Sequence, residues 1–353
     1  MNIKERIEAV LMGRSPDRMP FTIYPMMLPR SEAERKLRNK GLGLSVRTDV
    51  IKWVYPNCEI VSRKFNKDGI EHTSTVWITP VGEVRYVTRD EGGYGTGSWI
   101  IERPVKSKND YKVVEYITND AIPVPFYDAY KMYKEQVGND GYVIGQLGYS
   151  PLMEMIVNLI GTDRYAYELY DNADDFWALY ECLCKKMRRA YPVVANSPAE
   201  LVLYCGNIHP DVVGLERLES YILPCIHELA DALHEKGKLV GVHFDANTQL
   251  FKKAIANSSI DVIEAFTPPP DCDMPLWEAL KCWQGKKIWL NFPSSVHIED
   301  TSKIQEVTVE LLKESSVGND VIFGVTEDIP SDCWPRSLNA ICDAINQYDT
   351  SRS

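Results

Sequence analysis

The amino-acid sequence predicts an α/β fold, a (β/α)8 barrel carrying an N-terminal β-hairpin elaboration. Two observations carry that expectation. Short apolar runs rich in β-branched residues alternate with helical patterns, the mark of parallel βα units. With two less regular runs in the first half, their number reaches the eight that closes such a barrel.

The elements follow in order. Ile3–Met12 reads as a helix, Met19–Tyr24 as a first strand, Ser31–Lys40 as a helix, and the run from Val46 to Val54 as a second strand. His72–Trp77 and Glu83–Thr88 then alternate with period two around Thr79-Pro-Val-Gly82, which predicts a β-hairpin inserted at about 57–104. Six clearer strands follow: Tyr142–Gln146, Glu200–Tyr204, Lys238–His243, Ile260–Glu264, Lys287–Asn291 and Asp320–Gly324. Helices fit the gaps at Phe176–Tyr191, Glu216–Lys236 ended by Gly237, Leu250–Ile255, Ser302–Glu314, and Pro335–Gln347 with proline in its first turn. The stiff loop Thr267-Pro-Pro-Pro-Asp-Cys-Asp-Met274 directly follows a strand. One barrel domain spanning 1–353, with the insertion, is the economical organisation.

Composition narrows the function. Across 353 residues, 39 Lys+Arg stand against 50 Asp+Glu, a net charge of −11, which argues against a nucleic-acid binder. No apolar run is long enough for a membrane helix and the N-terminus lacks a signal peptide's apolar region, so a cytoplasmic location is expected. Nine scattered cysteines without a CxxC pair fit buried thiols; Cys182 and Cys184, two apart on a helix, are a weak metal pair. GxGxxG, GxxxxGK[ST], GxSxG and HExxH are all absent.

In such a barrel the chemistry sits where the strands end. Here the runs terminate in Gln146, Cys205-Gly-Asn207-Ile-His209, His243-Phe-Asp245-Ala-Asn247, Glu264, Asn291 and Thr326-Glu327-Asp328. Three carboxylates on one rim, Asp245, Glu264 and Glu327, call for a cation, a metal or a proton-transfer role. Period two places His243 and Asp245 on the same side of an extended chain, a pair suited to Zn²⁺; a core histidine hydrogen-bonded to Asp245 fits the same pattern. His209 is a ligand, a proton donor or a loop residue before Pro210, whereas His227 and His234 read as a solvated helix face. Tyr149, Trp289 and Phe292 line a pocket for a flat ring or belong to the core.

Four segments resemble the uroporphyrinogen decarboxylase superfamily: Arg6-Ile-Glu-Ala-Val-Leu-Met-Gly-Arg-Ser-Pro-Asp-Arg-Met-Pro20, Gly145-Gln-Leu-Gly-Tyr-Ser-Pro151, Ile222 to Gly237 leading into His243, and Glu327-Asp-Ile-Pro330. The resemblance spans nearly the whole chain and implies a (β/α)8 barrel. It also implies one of two chemistries, a cofactor-free decarboxylation or a zinc-dependent methyl transfer to a corrinoid protein. The arginine-rich N-terminal motif of the decarboxylases is replaced by Phe21-Thr-Ile-Tyr-Pro-Met-Met-Leu28, so the methyltransferase branch resembles this chain better. Where that branch has His-x-Cys and a later Cys, this sequence has His243-Phe-Asp245 and Glu327, which is similar to the variable ligand sets of bacterial O-demethylases.

The resemblance therefore implies an enzyme that demethylates a methoxylated, aromatic compound and passes the methyl group to cobalt(I) on a separate corrinoid protein. His243, Asp245 and Glu327 would hold zinc, and Glu264 or His209 would handle the proton. Asn207, Asn291, Gln146, Tyr149 and Tyr24 would bind substrate. The alternatives are a decarboxylase or lyase acting on a small acid, for which Arg30, Arg85 and Arg103 are the arginines to watch, and a non-catalytic barrel binding a small ligand. A symmetric homodimer is the expected assembly.

Overall fold

Eight strands pair all-parallel into a closed barrel: β1 (Phe21–Ile23), β2 (Leu42–Asp49), β3 (Gly141–Gly148), β4 (Leu201–Tyr204), β5 (Leu239–His243), β6 (Val262–Phe266), β7 (Lys287–Asn291) and β8 (Val321–Val325). Neighbours in the ring are neighbours in sequence, and β1 closes it by pairing with both β2 and β8. The computed structural model describes residues 1–90, 98–315 and 320–350.

The strands alternate between two cores. Tyr142, Ile144, Leu201, Leu203, Val262, Trp289 and Ile322 fill the lower interior of the barrel, where they meet Ile3, Ile7, Val10 and Leu11 of the first helix, Ile3–Leu11. That helix starts with a capping box, Asn2 accepting from the Glu5 N–H while the Glu5 carboxylate accepts from the Asn2 N–H. Its apolar face closes the N-terminal mouth. Gly43 permits the approach, since a Cβ there would lie 2.3 Å from Ile3 Cγ1. The opposite strand faces pack under the surrounding helices in one large apolar cluster. With the bottom plugged and the middle filled, the interior opens only towards the strands' C-terminal ends.

Three expectations need correction. The run from Val46 to Val54 is not one strand: β2 ends at Asp49, the fully buried Val50 turns the chain out of the barrel, and Ile51–Val54 pairs antiparallel with Ile122–Pro125 in a separate sheet. The insertion is larger than a hairpin. Glu59–Lys67, Ile70–Thr79, Gly82–Asp90 and Ser98–Glu102 form a four-stranded antiparallel sheet, and residues 91–97 of the expected 57–104 segment lie outside the described residues. The expected helix Glu216–Lys236 is also divided, because Pro224 can donate no backbone bond: a π-helical turn, Leu218–Ile222, precedes the helix Leu223–His234. Among the described residues no helix is long and apolar enough to cross a membrane.

Candidate functional site

The barrel register brings the site together. His243 on β5 stands directly opposite Glu264 on β6, so two inward-pointing side chains from adjacent strands meet at one height. The contact is a hydrogen bond of 2.6 Å from His243 Nδ1 to Glu264 Oε2. Across the barrel, Arg47 of β2 donates through Nη2 to the same oxygen at 2.6 Å, and the Tyr24 hydroxyl donates to Glu264 Oε1. The guanidinium also lies 4.3 Å over the Tyr24 ring. Glu264 is wholly buried, and two cationic groups answer its charge. Burial pushes its carboxyl up, but Arg47 and His243 outweigh that and hold it below the ordinary range.

With Nδ1 committed to Glu264, the other nitrogen of His243 faces the rim. Nε2 lies 3.3 Å from Asp245 Oδ2, and one ligand atom each from His243, Asp245 and Glu327 fall within 4.8 Å of one another. Burial lowers the imidazole pKa, yet the Glu264 charge and the Asp245 hydrogen bond override it and raise it to about 9. Burial likewise pushes Asp245 up before His243 draws it below its usual value. Glu327 is raised, first by burial and then by the Asp245 charge. Among the described residues its carboxylate has no hydrogen-bond or ion-pair partner, and the buried Thr326 Oγ1 and Asp328 Oδ1 beside it also lack one. Glu327 adds to Asp245 a second carboxylate that the single imidazole cannot neutralise. A divalent cation would relieve that excess, and one imidazole with two carboxylates leaves a coordination position open, as catalytic zinc requires. The donor set therefore fits zinc. Glu264 supplies the carboxylate behind the histidine that such ligands use for orientation.

The neighbouring cleft, about 160 Å³, is lined by His243, Arg47, Gln146, Tyr149 and Asn207 with the backbone around Cys205. Asn207 Nδ2 donates to the Tyr149 hydroxyl oxygen at 2.9 Å, and burial raises the Tyr149 pKa, so that hydroxyl keeps its proton. The Arg47 Nε is buried without a partner. Cys205 (φ 73°), Asn207 (φ 54°) and Ala265 (φ 60°) hold left-handed backbone conformations at the ends of β4 and β6, strain that concentrates where side chains are aimed at a site. Between the first two, Gly206 leaves room for the histidine: a Cβ there would lie 3.2 Å from His243 Cβ.

Of the residues singled out from sequence, the structure thus brings together His243, Asp245, Glu327, Glu264, Tyr24, Gln146, Tyr149 and Asn207. Others lie elsewhere. His209 caps the helix Pro210–Arg217, its Nδ1 accepting from the Asp211 N–H at 3.2 Å. Asn291 is 1% exposed, its amide donating to Thr267 Oγ1 and its carbonyl accepting from the Thr326 N–H, so it ties loops together beneath the rim. Trp289 and Phe292 are core residues. His234 pairs with Asp261 on the outside, and Cys182 and Cys184 are buried in the helix Ala173–Ala195. Arg30 is exposed, Arg85 pairs with Glu102 at 2.7 Å, and Arg103 donates to the Val157 carbonyl. The arginine of the site is Arg47, which the sequence reading missed. Period two puts Gly43, Ser45, Arg47 and Asp49 on one face of β2, but only the structure shows that this face is the inward one. Cys272 also approaches the rim, its Sγ 3.5 Å from the Asp245 carbonyl oxygen, and burial raises its thiol to about 11.

Comparison with known proteins gives three results. The family described as uroporphyrinogen decarboxylase (URO-D) matches residues 91–348. No curated protein matches the chain in sequence. Among solved structures, a methyltransferase from Methanosarcina mazei superposes with a TM-score of 0.59 at 12% identity, covering 99% of both chains. A putative vitamin-B12 independent methionine synthase from Listeria monocytogenes follows at TM-score 0.40 and 14% identity, over 64% of this chain and 69% of that one.

Proposed function

We propose, from the premise that this chain belongs to the uroporphyrinogen decarboxylase family, that it is a methyltransferase: it demethylates a methoxylated, aromatic compound and passes the methyl group to the cobalt(I) of a corrinoid carried by a separate protein. The observation that carries this reading is the convergence of His243, Asp245 and Glu327 at the open end of the barrel. Zinc held by those three residues would act as a Lewis acid on the ether oxygen, so that the phenolate leaves more readily.

The chain's own residues divide the remaining work. Glu264 accepts the Nδ1 proton of His243 and so fixes the tautomer that presents Nε2 to the rim. Arg47 and Tyr24 hold Glu264 in turn. Asn207 occupies the lone pair of Tyr149, leaving the Tyr149 hydroxyl proton free to bind an oxygen of the substrate, and Gln146 and Arg47 line the same cleft. His209 stands aside as a helix cap, so of the two groups expected to handle the proton Glu264 is the one at the site, where it accepts from the Tyr24 hydroxyl.

The charge balance favours this chemistry over decarboxylation of a polyacid. Among the described residues Arg47 is the single arginine lining the cleft, and Glu264 already neutralises it. The test is anaerobic: zinc-loaded protein, cob(I)alamin and a panel of methoxylated aromatics, followed by the visible spectrum of methylcobalamin. Methylation that is lost in Asp245→Asn supports the proposal. No methylation by any donor, with or without a partner corrinoid protein, overturns it, and release of CO2 from small acids would favour the decarboxylase alternative.

A further inference from the structure

The three side chains that converge on the rim are not equally held. His243 and Asp245 share one short segment at the end of β5, and Glu264 fixes the histidine through Nδ1. Glu327 comes from beyond β8, and among the described residues its carboxylate has no hydrogen-bond or ion-pair partner, so its place is set by its backbone. The parallel ladder that holds β8 ends just before it. From β7 the Phe292 N–H reaches the Gly324 carbonyl at 2.8 Å, and from β1 the Tyr24 N–H reaches the Val325 carbonyl at 3.3 Å. Asn291 carries the ladder one step further: its Oδ1 accepts from the Thr326 N–H at 2.8 Å, in the place of a backbone carbonyl. Its Nδ2 donates to Thr267 Oγ1 at 3.1 Å, and the Thr267 hydroxyl gives its own proton to the Ala265 carbonyl at 3.1 Å.

A bulge in β6 makes this bridge possible. The register slips by one residue at Ala265, so that Phe266 pairs with Leu290 and Thr267 arrives beside Asn291. Asn291 is 1% exposed, and Thr267 and Thr326 are 4% exposed each, so bulk water does not compete for these bonds. A leucine of nearly the same shape would fill the space without polar groups to satisfy, whereas the amide fixes a direction. We propose that Asn291 is a positioning residue for the metal: by tying the chain just before Glu327 to the end of β6, it holds the Glu327 carboxylate within reach of His243 and Asp245. The inference rests on the reading that these three side chains take zinc, and it is independent of where the methyl group goes.

Zinc binding to the metal-free protein, measured by competition with a chromophoric chelator and without corrinoid or methyl donor, provides the test. Asn291→Leu is expected to weaken zinc binding about 10–100-fold. In a Glu327→Gln background the same substitution is expected to cause no further loss, because a residue that acts through Glu327 then has nothing left to position; a purely structural role would multiply the two losses. Cobalt(II) bound in place of zinc should give Asn291→Leu the visible spectrum of Glu327→Gln and not that of wild type. Thr267→Val leaves the bond to the Thr326 N–H in place and removes only its anchor; it decides the matter by the same criteria if Asn291→Leu does not fold, with an expected loss of about 10-fold that vanishes in the Glu327→Gln background. A wild type that takes up no zinc, a folded Asn291→Leu that binds it as tightly as wild type, or losses that multiply in the double variant would each overturn the proposal. If zinc binding depends on Asn291 in this way but no methyl group reaches cobalt, the positioning role stands and the methyl-transfer reading falls.

Discussion

Glu264→Gln removes one negative charge from the most enclosed point of the site and leaves the side-chain shape intact. In wild type the carboxylate takes bonds from Arg47 Nη2 and His243 Nδ1, both at 2.6 Å, and from the Tyr24 hydroxyl, at zero exposure. An amide oxygen can keep one of these donors, but its NH2 group then faces another donor, and Arg47 is left without a counter-charge. Removing one partner of a buried pair costs about 3–5 kcal/mol. The Arg47 side chain is 23% exposed and recovers some hydration, which places the cost at the lower end, about 3 kcal/mol. With a urea m-value of about 3 kcal/mol/M, the unfolding midpoint followed by circular dichroism should fall by about 1 M. Zinc affinity should fall roughly 10–100-fold, because the histidine loses the group that orients it. Adding Arg47→Met removes the orphaned cation, so the double variant should be more stable than Glu264→Gln alone. A single variant within about 0.2 M of wild type, or two substitutions whose costs simply add, would refute the reasoning.

Two further outcomes follow from the same geometry. His297 is buried against Ser337, and burial lowers its pKa to about 4, below the unfolded value of 6.5. As pH falls the unfolded chain takes up the proton first, so stability is complete above pH 6.5 and is lost progressively down to pH 4; at pH 5 the loss is about 2 kcal/mol. Urea unfolding at pH 7.5 and 5 checks this, and His297→Gln should flatten the dependence. Gly206→Ala would bring a methyl group to 3.2 Å from His243 Cβ, and the expected result is zinc binding weakened about 10-fold with little change in thermal stability, read by metal titration and calorimetry.

The parts of the fold that could be read from the sequence were those where one physical signal acts alone. The six later strands are short apolar runs bounded by polar residues, and each lies within two residues of its expected limits. The stretch from Val46 to Val54 defeated that reasoning, because the apolar pattern continues through Val50 while the pairing partner changes from β3 to Ile122–Pro125. No local residue records that switch. The His243, Asp245 and Glu327 cluster was legible because chemistry at strand ends is a rule of the barrel, and closure of the ring brings β8 round to β5's side of the rim. Arg47 was not, since a charged residue within a strand reads equally well as facing water, and its partner lies 217 residues further on. Asn291 shows the converse. A polar residue at a strand end looked like a substrate contact, yet two neighbouring loops absorb both ends of its amide.

Zinc content tests the account most directly. Wild-type protein, freed of loosely bound ions and measured by elemental analysis, should carry roughly one zinc per chain, and His243→Ala and Glu327→Gln should each lose it while remaining folded. A wild type that takes up no zinc, or a Glu327→Gln variant that holds it as tightly as wild type, would contradict the claim that these three residues form the reactive centre.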